Sequence, residues 1–321
     1  MEITNDPARL DAGGRWAVMV TYEGVLTAAR FGRWRPGPGS QVAGPWRGPD
    51  PGAWATSLDQ GAYESAVSSV RDRIARGEVY QANVCRILSA TVPDPTRRNL
   101  GGLHALLAAH HPAPFEGYLR LPGIEVATSS PELFLRKAGN RVSTGPIKGT
   151  GRSAGDLKPK DEAENIMIVD LMRNDLSRVC RPGTVVVPRL LATESYPGMV
   201  HLVSEVAGEL ADGMGWPELL TALVPPGSVS GAPKSSAVRI LQELEPVERG
   251  PYCGAIGWVD SDTGTAVLAV GIRTFWSVQD DPVVRFGTGA GITWGSRPEQ
   301  EWAETELKAE RLLRVAGGSW P

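Results

Sequence analysis

The strand-like segments of this chain come in groups. CGAIGWV, AVLAVGIRTFWSV and PVVRFGTGAGITW follow one another in the last third with no helical period between them. Earlier, FEGYLRLPGIEVATSSPELFLR holds two short β-like runs around Pro122-Gly123, a hairpin signal. Parallel strands need a long crossover, usually a helix, whereas antiparallel strands join through tight turns. Grouped strands therefore confine the chain to antiparallel sheets and predict an α+β class.

Helical patterns lie between these groups. Tyr63, Val67, Val70 and Ile74 recur at helical spacing ahead of Gly77, which suits a helix stop. EVYQANVCRILSATV then reads as extended. A helix is expected from about Asp161 to Val179, followed by strand-like TVVVPRLLATES and HLVSEVAGEL. Helices are also expected at 216–224 and 232–244, with Pro233 near the first turn of the second, and a last one over about Pro298 to Val315. The stretch from Trp34 to Trp54, rich in Gly and Pro, carries neither period and reads as a long surface loop.

Composition narrows the class of function. With 321 residues, 41% hydrophobic and 21% charged, the chain can bury a sizeable core and does not have a disordered composition. A formal charge of −3 argues against a nucleic-acid surface as its main business. No apolar run reaches the roughly 18–20 residues that span a bilayer, and the N-terminus has no basic start followed by an apolar core. Cys85, Cys180 and Cys253 are far apart in sequence, with no CxxC pair or zinc spacing. A cytoplasmic enzyme, without membrane or nucleic-acid partners, is the expectation.

Several constellations carry chemistry. Glu301, Glu304 and Lys308 share one helical face, where two carboxylates suit a hard cation such as Mg²⁺ and a lysine suits an anionic ligand; a solvated face with a Glu304–Lys308 ion pair accounts for the same spacing. DEAENIMIVDLMRND carries Glu164 and Asp175 at the ends of an apolar run, so this helix is expected to be buried on more than one side. In STGPIKGT, Lys148 stands between a stiff Pro146 and a permissive Gly149, and a desolvated lysine can serve as a nucleophile. PPGSVSGAPKSS offers backbone N–H groups before a helix but is not a Walker A loop, and an ordinary tight loop is an equal reading. FGTGAGITW permits close backbone approach to a ligand or marks a strand bend. His104, His110 and His111 read as structural, while His201 ahead of LVSEV stands out.

The order of these motifs is more specific than any one of them. GEVYQANVCR, SPELF, PIKGT, AENIMIVDLMRNDLSRV, HLVSEV, PPGSVSGAPK, ELEPVERGPYCGAIGW, GIRT, GTGAGI and EWAETELKAERLL together resemble the chorismate-utilising enzymes, from about Glu78 to about Leu313. That superfamily includes anthranilate synthase component I and aminodeoxychorismate synthase component I. The resemblance implies two large antiparallel sheets packed together with helices outside and the site between them. Residues 61–321 would form the chorismate-binding catalytic domain, and 1–60 a short N-terminal segment of the same fold with its Gly/Pro-rich loop.

Within the family, PIKGT resembles aminodeoxychorismate synthases, whereas anthranilate synthases typically read PIAGT. The implied activity converts chorismate and ammonia to 4-amino-4-deoxychorismate, which leads to 4-aminobenzoate and folate. Lys148 would attack ring C2 and Glu132 would protonate the departing C4 hydroxyl. The resemblance further implies Glu164, Glu301 and Glu304 as Mg²⁺ ligands and Tyr252, Arg273 and Lys308 as contacts to substrate carboxylates. Gly149, Thr150, Gly289 and Gly291 would line the pocket, with His201 nearby. Anthranilate, 2-amino-2-deoxyisochorismate or isochorismate formation on the same scaffold is the alternative, as is a non-catalytic chorismate-binding subunit. No Cys-His-Glu amidotransferase arrangement is present, so ammonia would come from a separate glutamine amidotransferase subunit or from free ammonium. Two departures stand out. Gly295-Ser296 replaces the family's Asp-Ser, and the stretch before GEVYQANV is short, which argues against feedback inhibition by tryptophan.

Overall fold

Residues 36–43, 51, 152, 158, 197–198 and 318–321 lie outside the described part of the computed structural model, as do the side chains of residues 150, 154, 159, 196 and 199. The predicted 34–54 loop falls partly on them. Among the described residues the chain forms, in order, β1 (Glu2–Thr4), β2 (Arg15–Val20), β3 (Leu26–Arg30), β4 (Ala55–Thr56), α1 (Gln60–Ala75), β5 (Gln81–Thr91) and α2 (Leu100–His110). Next come β6 (Phe115–Leu121), β7 (Ile124–Ser130), β8 (Leu133–Ala138), β9 (Arg141–Gly145), β10 (Ile147–Gly151), α3 (Pro159–Ser177), β11 (Val186–Tyr196) and β12 (Met199–Glu209). The chain closes with α4 (Trp216–Leu223), β13 (Gly231–Ala232), α5 (Lys234–Leu244), β14 (Ala255–Asp260), β15 (Thr265–Val270), β16 (Thr274–Val278), β17 (Val283–Ile292) and α6 (Pro298–Val315).

All strand pairs are antiparallel, in two sheets. The ten-stranded sheet runs β1-β3-β2-β14-β15-β8-β9-β12-β10, with β11 also paired to β12. The seven-stranded sheet runs β13-β5-β17-β16-β7-β6, with β4 on β5. Between them lies one core, in which Trp16, Val18 and Leu268 of the larger sheet meet Cys85, Ile87, Val126 and Trp276 of the smaller. β5 is buried on both faces: Cys85 and Ile87 point into this core, while Leu88 and Ala90 meet α2 and α6, and Ala82 and Val84 meet α1 and α5. That two-sided burial explains why its sequence shows an apolar run instead of alternation. The fold is thus the expected α+β architecture with two antiparallel sheets and helices outside.

Local signals behave as the sequence predicts at several points. The Asp59 side chain accepts from Ala62 N and caps α1, and Gly77 has φ +74 after its end. Gly123, with φ +83, turns β6 into β7 in the Pro122-Gly123 hairpin. Two readings are corrected. AVLAVGIRTFWSV is not one strand run: β15 belongs to the larger sheet and β16 to the smaller, and Gly271-Ile272-Arg273 carries the chain between them. α3 is buried on one side only; Asn165, Ile168, Val169, Met172, Asp175 and Leu176 face inward, while Ile166 is 44% exposed. The buried set follows a helical period, so the continuous IMIV run conceals an ordinary amphipathic helix. Pro233 stands at the N-cap of α5, next to its first turn as expected.

Candidate active site

Two crossovers between the sheets run side by side and build the site. Ser130-Pro131-Glu132 passes from β7 in the smaller sheet to β8 in the larger, and Gly271-Ile272-Arg273 passes from β15 back to β16. They are stitched together: Ser130 Oγ donates to Val270 O at 2.6 Å, Val270 N to Glu132 O at 3.0 Å and Ser129 N to Arg273 O at 3.0 Å. Glu132 and Arg273 thus stand on neighbouring crossovers at the seam between the sheets.

Glu132 is 4% exposed, and burial pushes its carboxyl up to about 7, with the Ser228 hydroxyl and the Lys148 ammonium opposing the rise. Lys148 lies in an irregular part of β10. Ile147 pairs with Val203 and Thr150 with His201, so the Lys148-Gly149 stretch holds one extra residue, and Gly149 adopts φ +81. Such a bulge re-aims a side chain out of the sheet. Here it delivers Lys148 Nζ to Ser228 O at 3.3 Å. Desolvation holds the Lys148 amine below its ordinary range, against the pull of Glu164 and Glu132.

Arg273 sits in left-handed backbone at φ +53, a strained conformation for a residue with a side chain. Burial, then Arg311, lowers its guanidinium to about 10. His111 and His201 are both buried and lowered to about 4, first by desolvation and then by Arg273. The two imidazoles are thus neutral around a desolvated cation, an environment that favours an anionic ligand.

The third side comes from α3 and α6. Lys308 Nζ donates to Gly289 O at 3.0 Å and pairs with Glu304 at 2.6 Å. Burial pushes Glu304 up, but Lys308 outweighs it and the net shift is downward. Glu301 is 4% exposed and raised by desolvation, with the Ser296 hydroxyl opposing. Ser296 Oγ also accepts from Thr293 N at 3.0 Å, so the Gly295-Ser296 departure retains an ordered turn into α6. Glu164 pairs with Lys160 at 3.5 Å, and the Lys160 ammonium is raised above its ordinary value, against desolvation, by Glu164, Glu301 and Glu304. Three carboxylates from two helices therefore face three ammoniums, those of Lys160, Lys308 and Lys148. Among the described residues no three metal-ligating side chains converge on a point. Carboxylates on two neighbouring helices are nevertheless hard oxygen donors, and they suit a divalent cation that takes one or two of them and fills its shell with water and ligand.

The predicted residues divide on this geometry. Glu132, Glu164, Glu304 and Lys308 each act electrostatically on Lys148. Gly291 is close: a Cβ there would stand 2.3 Å from Gln81 Nε2 and 3.7 Å from Lys148 Nζ. A Cβ on Gly289 would come within 2.6 Å of Cys85 Sγ. Thr150 pairs with His201 through the backbone, and its side chain lies outside the described residues. Tyr252 is buried, its ring fills the space over Gly287, and its hydroxyl lies 3.9 Å from Cys85 Sγ. Sequence reasoning missed Gln81, Ser228, Lys160 and His111. Gln81 is 1% exposed, and its Oε1 has no hydrogen-bond partner. Gln81 and Ser228 both sit inside motifs already singled out, whereas His111 becomes visible only when Ser129 and Arg273 are packed beside it.

Solved structures with this fold act on chorismate-related chemistry by their descriptions. Anthranilate synthase component I from Streptococcus pneumoniae superposes with a TM-score of 0.77 at 24% identity, covering 94% of this chain and 80% of that one. The menaquinone-specific isochorismate synthase from Escherichia coli gives 0.76 at 20% identity, covering 97% and 80%. At these identities the likeness concerns the fold. The family profile for chorismate binding enzymes matches residues 39–314, and the chain belongs to that family.

Among curated relatives, anthranilate synthase component 1 of Bacillus caldotenax is 40% identical over 272 residues, covering 81% of this chain and 52% of that protein. Its counterpart in Saccharolobus solfataricus is 38% identical over 274 residues, covering 81% and 63%. Aminodeoxychorismate synthase component 1 of Bacillus subtilis is 34% identical over 277 residues, covering 82% and 57%. The chain thus spans little more than half to under two thirds of these relatives.

Proposed function

We propose that this enzyme converts chorismate and ammonia to 4-amino-4-deoxychorismate through a covalent bond to Lys148. The observation that carries the reading is the pairing, in one pocket, of an amine held below its ordinary pKa with a carboxyl raised to about 7. Loss of water favours the neutral, nucleophilic form of the one and the protonated, acidic form of the other. Lys148 Nζ attacks ring C2, the ring double bonds shift and the C4–O bond breaks. The leaving oxygen takes the Glu132 proton and departs as water. Ammonia then adds at C4, the C2–N bond breaks, and Nζ leaves as an amine. The product ammonium returns a proton to Glu132.

Arg273 and Lys308 would hold the two substrate carboxylates. Glu164 and Glu304, with Glu301 beside them, would hold Mg²⁺, which when bound neutralises the ring carboxylate. The "component 1" in the relatives' names supports a separate partner, here a glutamine amidotransferase that supplies the ammonia. Anthranilate formation is the second reading, favoured by identities of 38% and 40% to anthranilate synthase components against 34% to the aminodeoxychorismate one.

The deciding experiment is chromatography with mass detection after incubating the pure protein with chorismate, Mg²⁺ and an ammonium salt. A 4-amino-4-deoxychorismate peak supports the lysine mechanism. Anthranilate or isochorismate retains the family and discards the role of Lys148. Absence of turnover even with an added glutaminase subunit leaves a chorismate-binding subunit.

A further inference from the structure

Ser228 touches the machinery from a loop to which no role has yet been given. It lies between α4 and β13 and is 3% exposed. Its main-chain oxygen accepts from Lys148 Nζ at 3.3 Å. Its buried hydroxyl has no hydrogen-bond partner among the described residues; set beside the Glu132 carboxyl, it opposes the rise that burial causes there. One residue thus faces the nucleophile with its carbonyl and the acid with its hydroxyl.

The loop is held so that it cannot drift. Ser230 Oγ donates to Pro226 O at 2.9 Å. Arg249, 2% exposed, donates to Val229 O at 2.8 Å and to Asn83 O at 2.7 Å, and its guanidinium is paired with Glu245 at 2.6 Å. On the far side Lys234 donates to Ala222 O and Leu223 O and pairs with Asp175 at 2.6 Å. Both ends of the Ser228 turn are therefore anchored by buried cations.

We propose that Ser228 is a positioning residue for the first half-reaction, its carbonyl orienting the Lys148 amine and its hydroxyl receiving the Glu132 carboxylate as the proton leaves. The inference rests on the lysine-adduct reading above. When Nζ bonds to C2 and the C4–O bond breaks, Glu132 gives up its proton and becomes a buried anion. The charged groups facing it are Lys148 directly and, around Lys148, Glu164, Glu304 and Lys308. A buried carboxylate without a donor is costly. The unpartnered Ser228 hydroxyl is the donor already in place, and its bond forms as the negative charge appears, which is where a hydrogen bond lowers a barrier.

The test is rapid-quench intact-mass detection of the chorismate adduct on the full chain, with Mg²⁺ present and ammonium omitted, beside steady-state turnover. Ser228→Ala is expected to slow adduct formation by about 10–100-fold, the loss of one hydrogen bond to a charge. Chorismate KM should stay within about twofold, because Arg273 and Lys308 are untouched. Ser228→Thr, which keeps the hydroxyl, should recover most of the rate. Ser228→Cys, similar in volume and a weak donor, serves if the alanine variant does not fold, and is expected to be slow as well. An unchanged adduct rate in Ser228→Ala, a KM that rises as far as the rate falls, or a threonine variant as slow as alanine overturns the proposal while the lysine mechanism stands. No adduct in the wild-type protein overturns the nucleophile role of Lys148, and the Ser228 role with it.

Discussion

Glu132 and Lys148 are each unremarkable residue types made reactive by the same cause, loss of water. A carboxyl raised from 4.5 to about 7 binds its proton more tightly folded than unfolded. The associated stability is fully present below about pH 4.5 and is lost as pH rises through about 7, an amount of roughly 3 kcal/mol. Glu132→Gln removes that penalty. The variant should be more stable than wild type at pH 8, with a gap that closes toward pH 5, in urea melts at the two pH values. It should also lack turnover. In the wild type, turnover should fall as pH rises through about 7, because the acid form is the one that protonates the leaving hydroxyl. Lys148→Ala should abolish any ring adduct seen by intact mass; an adduct in that variant sinks the nucleophile role. Both residues were legible in sequence through SPELF and PIKGT, but their protonation states were not, since these depend on which groups pack around them.

Helices in this protein carry chemistry on one face and attachment on another. On α6, Glu301, Glu304 and Lys308 face the site, while Thr305 and Glu306 are held by the fully buried Arg86 at 3.0 and 2.7 Å. The helix is thereby fixed in rotation, and its carboxylates keep their place. Glu304→Gln should raise the Mg²⁺ concentration for half-maximal turnover by about tenfold or more and weaken calorimetric Mg²⁺ binding in parallel; an unchanged titration counts against it as a ligand. α3 is tied to α5 by Asp175 and Lys234, a pair with 3% and 15% side-chain exposure. Asp175→Asn leaves Lys234 buried without its anion, at a cost of about 3 kcal/mol or more in chemical denaturation. The bounds of α6 were readable from its period and from Pro298. The single buried face of α3 was not, because the IMIV run hides a helical period that shows only once Ile166 is seen facing solvent.

Across the molecule, the site exists because two strands change sheets next to each other. Glu132 and Arg273 are far apart in sequence, and both lie on such crossovers, joined by Ser129, Ser130 and Val270. The first three strands of the chain extend the larger sheet beside β14. On the reading proposed here ammonia arrives from outside the chain. Glutamine alone should therefore give no amino product with the purified protein, whereas an ammonium salt should, both followed by mass detection. Glutamine-dependent product without a second protein would overturn that inference.

By itself the sequence determined the antiparallel α+β class, the family through ordered motifs, and the residues proposed here as nucleophile, acid and carboxylate donors. Those are properties of residue type, local period and motif order. Tertiary structure alone decided that AVLAVGIRTFWSV divides between two sheets, that Ser228 O meets Lys148 Nζ, that His111 stands beside Arg273, and that Tyr252 packs over Gly287. Each of these depends on contacts between segments distant along the chain, and on how much water those contacts exclude.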